Sequence, residues 1–364
     1  MGTVKITVFQ MFALLTLFLL GSTVVVGLGL DSEENAWLIN LFAMFVGIVL
    51  FFFYAFILHK GGWADFGEIL EKGFGKAGGK IISLLYSIYF YYIAARIVKD
   101  FSYFISQTLF YNIRDWIISA MLLILAAYGC KLGLEALART AEILMFMTML
   151  LVFSLIALAL MSDFFSMENI MPLYNPDEIK WGTLPQLFTF PYGEMVVFLL
   201  IFASVNQPEK LIKKGWLAVI AAGIIILILS ELIIGIVGAK TAAIYTYPLV
   251  KSIEMIEYLE VIQHLEIFSV FSFLFVGFIK IGIFFEAGTM AFANVFRKLK
   301  KEKIIYPAAS LAMLATLYMA ENLPQHLFLG LKVVPYLVHL PFQFLIPGIL
   351  AVLLVLKKER NQAF

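Results

Sequence analysis

Ten separate stretches of this chain are each apolar over about twenty residues, the length a helix needs to cross the hydrocarbon core of a bilayer. They fall near 6–30, 37–58, 81–109, 116–134, 141–161, 187–205, 216–238, 262–287, 304–319 and 333–356. No single aqueous core hides that much apolar surface: 62% of the 364 residues are hydrophobic and only 14% charged, against about half and a quarter in soluble domains. Backbone amides and carbonyls find no water in hydrocarbon, so each stretch reads as a helix that satisfies its own hydrogen bonds. The expectation is an all-α membrane protein with ten transmembrane helices forming one bundle over residues 1–364. The first stretch follows Lys5 alone and precedes no small-residue cleavage site, so it reads as a retained span rather than a signal peptide.

The basic residues orient the bundle. With the N-terminus inside, alternate loops hold Lys60, Lys72, Lys76 and Lys80, then Lys131 and Arg139, then Lys210, Lys213 and Lys214. The next inner loop holds Arg297, Lys298, Lys300, Lys301 and Lys303, and the tail holds Lys357, Lys358 and Arg360. The opposite loops hold only Arg114, Lys180, Lys240, Lys251 and Lys332. Positive residues collect on the cytoplasmic side, so both termini are expected inside. A count of eight or twelve spans would swap sides partway along the chain and spoil this bias. Of the outer connections, 163–186 is acidic and 241–266 reads as a helical hairpin; inside, 61–79 is Gly-rich around a short amphipathic helix at 66–72.

Two spans carry interruptions at matching positions in two five-span halves, repeat one at about 5–162 and repeat two at about 186–357. Span one contains Gly21-Ser22-Thr23, then the β-branched run Val24-Val25-Val26, Gly27 and Gly29. Span six opens with Phe190-Pro191-Tyr192-Gly193-Glu194. Paired helix breaks in corresponding positions of inverted repeats point to a binding site at the membrane midplane. Broken ends free N–H groups for a carboxylate and C=O groups for an ammonium or cation, so a zwitterionic amino acid suits such a pocket. The opposing explanation is that Gly21 and Gly193 only allow close helix packing.

Charges within spans cost about 2.5–3.5 kcal/mol each and need a purpose. Arg96, Lys99 and Asp100 share one face of span three, continued by Tyr92 and Ile93, with Arg96–Asp100 the better internal pair. They form either a structural charge network or part of a ligand site. Glu194 at the break accepts an ammonium, carries a proton, or caps the second half of span six. Glu231 in span seven and Lys280 in span eight are further candidates for ion or proton coupling. In five-plus-five transporters span eight flanks span one, so Lys280 either replaces a bound sodium ion or pairs with Glu194 or Glu231. The dense run Tyr86 to Tyr92 is read mainly as core packing.

Other chemistries lack their residues. Lys+Arg 26 against Asp+Glu 25 excludes a generally basic nucleic-acid binder. One cysteine, Cys130, and the dispersed His59, His264, His326 and His339 offer neither a disulfide framework nor metal-ligand spacing. No phosphate-binding loop or nucleophile elbow is found, so no cofactor, no metal and no enzymatic activity are expected.

The motifs together resemble the B subunit of the spore germinant receptors of endospore-forming bacteria, a branch of the amino acid–polyamine–organocation permeases. They are Phe9-Gln10 before Leu20-Gly21-Ser22; Phe74-Gly75-Lys76; Lys99-Asp100; Asn169-Ile170-Met171-Pro172; Pro191-Tyr192-Gly193-Glu194; and Tyr247-Pro248 followed by Gln263-His264-Leu265-Glu266. His264 departs from an expected arginine, and Lys280 stands where small polar residues also occur. The resemblance implies a LeuT-like inverted-repeat fold in the spore inner membrane, and a complex with a membrane-anchored A subunit and a lipoprotein C subunit. It implies that the protein senses a small nutrient, with an amino acid expected, and triggers germination through those partners. Gly21, Ser22 and Thr23 would then face the ligand carboxylate, Tyr192, Gly193 and Glu194 its ammonium, and Ile93 and Lys280 the flanks. A proton-coupled amino-acid permease is the alternative; a membrane enzyme ranks lower because no metal cluster, triad or cofactor loop is found, and a passive scaffold because it leaves the helix breaks and buried charges without a use.

Overall fold

A computed structural model of the chain describes residues 5–21, 23, 27–110, 112–180, 184–257 and 266–362, and among these it is helical almost throughout. The main helices are α1 (Val8–Leu20), α2 (Ala36–Gly61), α3 (Phe66–Thr108), α4 (Asp115–Leu132) and α5 (Leu134–Met161). After the irregular stretch 184–204 come α6 (Pro208–Lys214), α7 (Trp216–Val237), α8 (Ala239–Ile244), α9 (Pro248–Glu257) and α10 (Glu266–Val295). The chain ends with α11 (Glu302–Tyr318), α12 (Leu323–Phe328) and, beyond an underwound stretch, α13 (Ile346–Gln362). Seven of the described helical segments are long and apolar enough to cross a membrane; α11 and the segment after it form a pair bent by 111°. α1 is apolar but only 13 residues long.

Helix boundaries follow local chemistry. Thr7 caps α1 in a reciprocal box with Gln10, which ties down two of the four free amides at that end. Glycine sets two corners: Gly75 bends α3 with φ 81°, and Gly133 separates α4 from α5 with φ 94°. The short amphipathic helix expected at 66–72 is therefore the first part of α3, ahead of the Gly75 kink.

The bundle is apolar on its outside. Phe45 (α2), Ile124 (α4), Phe146 (α5) and Leu311 (α11) are all more than 60% exposed. In water such a surface would aggregate; around a membrane bundle it is the face toward lipid. The inside holds α1, most of α10, and the 191–202 stretch, with α10 lying along α3 and against α5 and α1. These buried elements carry the interruptions on which the site depends.

Candidate functional site

The break after α1 is present at Gly21, whose φ of 24° and ψ of −133° end the helix. The site tolerates no side chain: a Cβ there would lie 2.5 Å from Lys280 Cδ and 2.9 Å from the Phe18 carbonyl oxygen. Ser22 lies outside the described residues. Thr23 donates its hydroxyl to the Leu19 carbonyl at 2.8 Å, so that hydroxyl is committed to the backbone instead of being offered to a ligand carboxylate.

The 184–204 stretch is broken as the Pro-Tyr-Gly-Glu motif requires. Phe190 is non-helical (φ −133°, ψ 126°), and Gly193–Leu199 continues as a tight 3₁₀ turn sequence. Proline removes a backbone donor here and displaces the preceding turn. Glu194 leaves this turn toward α10, where its Oε2 lies 2.6 Å from Lys280 Nζ. Both side chains are buried, Lys280 at 0% and Glu194 at 4% exposure. No further hydrogen bond reaches Lys280 Nζ or Glu194 Oε2 among the described residues. The ammonium is flanked instead by the rings of Phe190 (4.5 Å) and Phe18 (5.3 Å), which favour a cation over their faces. Of the two partners open to Lys280, the structure selects Glu194. Glu231 lies elsewhere on α7, near the Trp37 amide at the start of α2.

On the other side of Glu194 is a cavity of about 70 Å³. α3 contributes Ile93, Arg96, Ile97 and Asp100; the broken stretch contributes Gln186, Phe190 and Glu194; and the segment after α11 contributes Leu327, Gly330, Leu331 and His339. Both signs of charge therefore meet apolar walls in one space. At about 10–15 Å³ per water-sized occupant, it holds roughly five such groups, the scale of the smallest amino acids. Tyr192 and Gly193 do not line it: the Tyr192 ring packs on Gly47 of α2, and Gly193 faces the Gln343 side chain.

The α3 charges form a network, but the Arg96–Asp100 pair expected from their spacing is replaced by a shared partner. Arg96 Nη2 donates to the His326 carbonyl at 2.9 Å, and Asp100 Oδ1 lies 2.7 Å from His326 Nε2. His326 itself is fully buried, on α12. The reason is that both side chains reach across to α12, where one residue offers a carbonyl to the cation and a ring nitrogen to the carboxylate. Lys99 turns away to Asp115 at 3.0 Å and lies over the Tyr103 ring, outside the cavity.

The tenth apolar stretch supplies residues that its sequence did not announce as functional. Leu329–Val333, Pro335–His339 and Pro341–Leu345 are underwound, π-helical turns. Pro335, Pro341 and Pro347 recur every six residues, a spacing that was available as a signal. Underwinding strands carbonyls, and tyrosines collect them. Tyr86 donates to the Phe342 carbonyl at 2.8 Å, while Tyr54 lies 3.0 Å from the Gln343 carbonyl and 3.2 Å from that of Gly193. Tyr89 receives the Gln343 amide at 3.0 Å and meets His339 Nδ1 at 2.9 Å. The tyrosine run of α3 is thus both core packing and a set of hydroxyl props for the helix opposite.

Known proteins place this geometry. A family model described as spore germination protein matches residues 5–324. Spore germination protein KB of Bacillus subtilis (strain 168) is 27% identical over 364 residues, covering 100% of this chain and 98% of that protein. Among solved structures, a substrate-bound, outward-open Na⁺-coupled sialic acid symporter aligns with a TM-score of 0.71 at 12% identity, over 97% of this chain and 80% of that one. MhsT in complex with L-phenylalanine gives 0.62 at 14% identity, over 95% and 97%. The nucleobase-cation-symport-1 transporter Mhp1, closed around bromovinylhydantoin, gives 0.63 at 11% identity, over 96% and 78%. These likenesses establish an integral multi-pass membrane protein with a LeuT-like fold, and the full-length match establishes its kinship: the chain belongs to the spore germination protein family.

Proposed function

We propose that this protein is the nutrient-sensing B subunit of a spore germinant receptor and binds a small amino acid in the cavity beside Glu194. The observation that carries this reading is the cavity itself, where Glu194 and Arg96 stand among Ile93, Phe190, Leu327 and Leu331. The ligand ammonium meets Glu194, whose Oε2 faces Lys280; the carboxylate meets Arg96; and the apolar residues bound the side chain. This shifts the carboxylate from the span-one break to α3, because Lys280 packs against Gly21 and Thr23 is committed. Glu194 and Lys280 form the coupling pair. Gly21, Gly193 and Tyr192 shape its surroundings, and Glu231 acts apart from it.

The wider setting belongs to the same proposal. Ten segments cross the spore inner membrane as one bundle, with both termini cytoplasmic and repeats at about 5–162 and 186–357. Ligand binding favours one of two conformations, and the A and C subunits read the shift. The protein works as a receptor and not as an enzyme. A second reading, an amino-acid permease coupled to protons, draws on the symporters that share the fold and on the buried Glu194–Lys280 pair.

Equilibrium binding of labelled small amino acids to the purified protein tests the site. Glu194→Gln and Arg96→Gln each remove a charged partner, worth about 1.5–3 kcal/mol, so each weakens binding about ten- to a hundredfold. Glu231→Gln leaves affinity unchanged. Wild-type affinity in both cavity variants would remove the cavity as the site.

A further inference from the structure

A second cavity, of about 410 Å³, lies at the end of the molecule where α1 begins and α6 meets α7. Its polar wall holds Asn206, Gln207, Lys210 and Lys214, and its apolar wall holds Val8, Phe9, Phe12 and Leu217. Lys210 and Lys214 are one helical turn apart on α6 and both exposed, and among the described residues no acidic one lines the groove. Across from them is the start of α1. Its capping box uses the amides of Thr7 and Gln10, which leaves those of Val8 and Phe9 without helical partners. Two lysines and the N-terminal turn of α1 thus line one space, an arrangement suited to an anion.

The apolar wall says which anion. Phe9 and Leu217 are 56% and 42% exposed, and Phe9 stacks on Phe12 at 6.4 Å. Trp216, next to Leu217, donates its indole N–H to the Lys213 carbonyl at 2.9 Å, and tryptophans of this kind settle at the membrane–water interface. We propose that this groove binds an anionic phospholipid, with the headgroup phosphate between Lys210, Lys214 and the amides of Val8 and Phe9. One acyl chain lies along Phe9, Phe12 and Leu217.

The location gives the lipid a consequence. Beside the groove, the chain before α1 is joined to the end of the broken stretch: Ile6 N–H donates to the Ser204 carbonyl at 2.9 Å, and Asn206 N–H to the Ile6 carbonyl at 3.0 Å. A lipid held by residues from both sides of this bridge stabilises the junction between the start of α1 and the end of the broken 184–204 stretch.

Native mass spectrometry of the purified full-length protein, titrated with phosphatidylglycerol and separately with phosphatidylcholine, tests the site. The protein retains phosphatidylglycerol in preference to phosphatidylcholine. The double variant Lys210→Gln/Lys214→Gln binds phosphatidylglycerol about thirtyfold more weakly, the loss expected from two basic groups beside an anionic headgroup. Lys213→Gln/Lys300→Gln removes the same charge away from the groove and keeps near wild-type affinity. Matching size-exclusion profiles establish that each variant is folded. Equal weakening in both double variants, or equal retention of the two lipids, overturns the proposal. Displacement of phosphatidylglycerol by inorganic phosphate also overturns it, in favour of a free-anion site.

Discussion

Replacing Lys280 by methionine keeps most of the stem that packs on Gly21 and removes only the charge. What remains is a carboxylate, Glu194, at 4% exposure, with its cation 2.6 Å away deleted and no hydrogen bond to its Oε2 among the described residues. Breaking a buried pair in this one-sided way costs about 3–5 kcal/mol, because a buried charge is left uncompensated. That is a large share of the roughly 5–15 kcal/mol that holds a typical fold. Removing both charges, in Lys280→Met/Glu194→Met, costs far less, since apolar side chains of similar volume often replace a buried ion pair without loss. In a double-mutant cycle the two single losses, about 6–10 kcal/mol together if each leaves one buried charge uncompensated, are then far from additive, the double variant losing much less than their sum. The assay is denaturant-induced unfolding of the two single variants and the double variant in one detergent. Additive effects, or a Lys280→Met protein as stable as wild type, would refute the assignment of these residues as a mutually dependent pair.

Three further outcomes follow from other parts of the bundle. Gly21→Val places a branched side chain at φ 24° and against Lys280, so it costs about 1–3 kcal/mol and abolishes the amino-acid response while the protein still inserts; an unchanged dose response removes the span-one break from the account. Tyr54→Phe strands the carbonyls of Gly193 and Gln343 and destabilises by about 0.5–1.5 kcal/mol in the same unfolding assay, whereas Tyr128→Phe on the lipid face is neutral. Asp65, at the turn between α2 and α3, has its carboxyl pKa raised by burial above the usual 3.8, despite hydrogen bonds from the Gly67 amide and Asn294. A raised folded-state pKa favours the folded form below 3.8, and that advantage is lost as pH rises through the folded value. Asp65→Asn keeps a capping oxygen without a charge, so its stability falls less steeply over that range; an unchanged slope of unfolding free energy against pH contradicts this.

Much of the architecture was legible because lipid permits so little. Apolar length announces a spanning helix, and Gly21 and Pro191 announce where two of them break. Lys280 was legible as a paired charge because an isolated ammonium in hydrocarbon is too costly, although only the fold selects Glu194 over Glu231. The Arg96–Asp100 pairing failed for the opposite reason. Helical spacing reports neighbours on one helix, whereas His326 lies 226 residues further along the chain from Asp100 and competes through both its carbonyl and its ring. Tyr192 and Gly193 mark the break correctly, yet they face α2 and Gln343, because a motif locates a turn without fixing which side of it faces the cavity. Arg96 was marked by its charge within span three, whereas His339 and Gln186 belong to the cavity through tertiary packing, and of these two only His339 lies in a region that left a trace in the sequence, the proline spacing of 335, 341 and 347.

On the reading proposed above, the cavity beside Glu194 senses an amino acid without moving it across the membrane. Its most direct test is a panel of labelled amino acids offered to the protein in proteoliposomes, with and without a pH gradient. Saturable binding of a small amino acid, with no accumulation under either condition, is the predicted result. Gradient-driven accumulation inside the vesicles would contradict it and make the protein a permease.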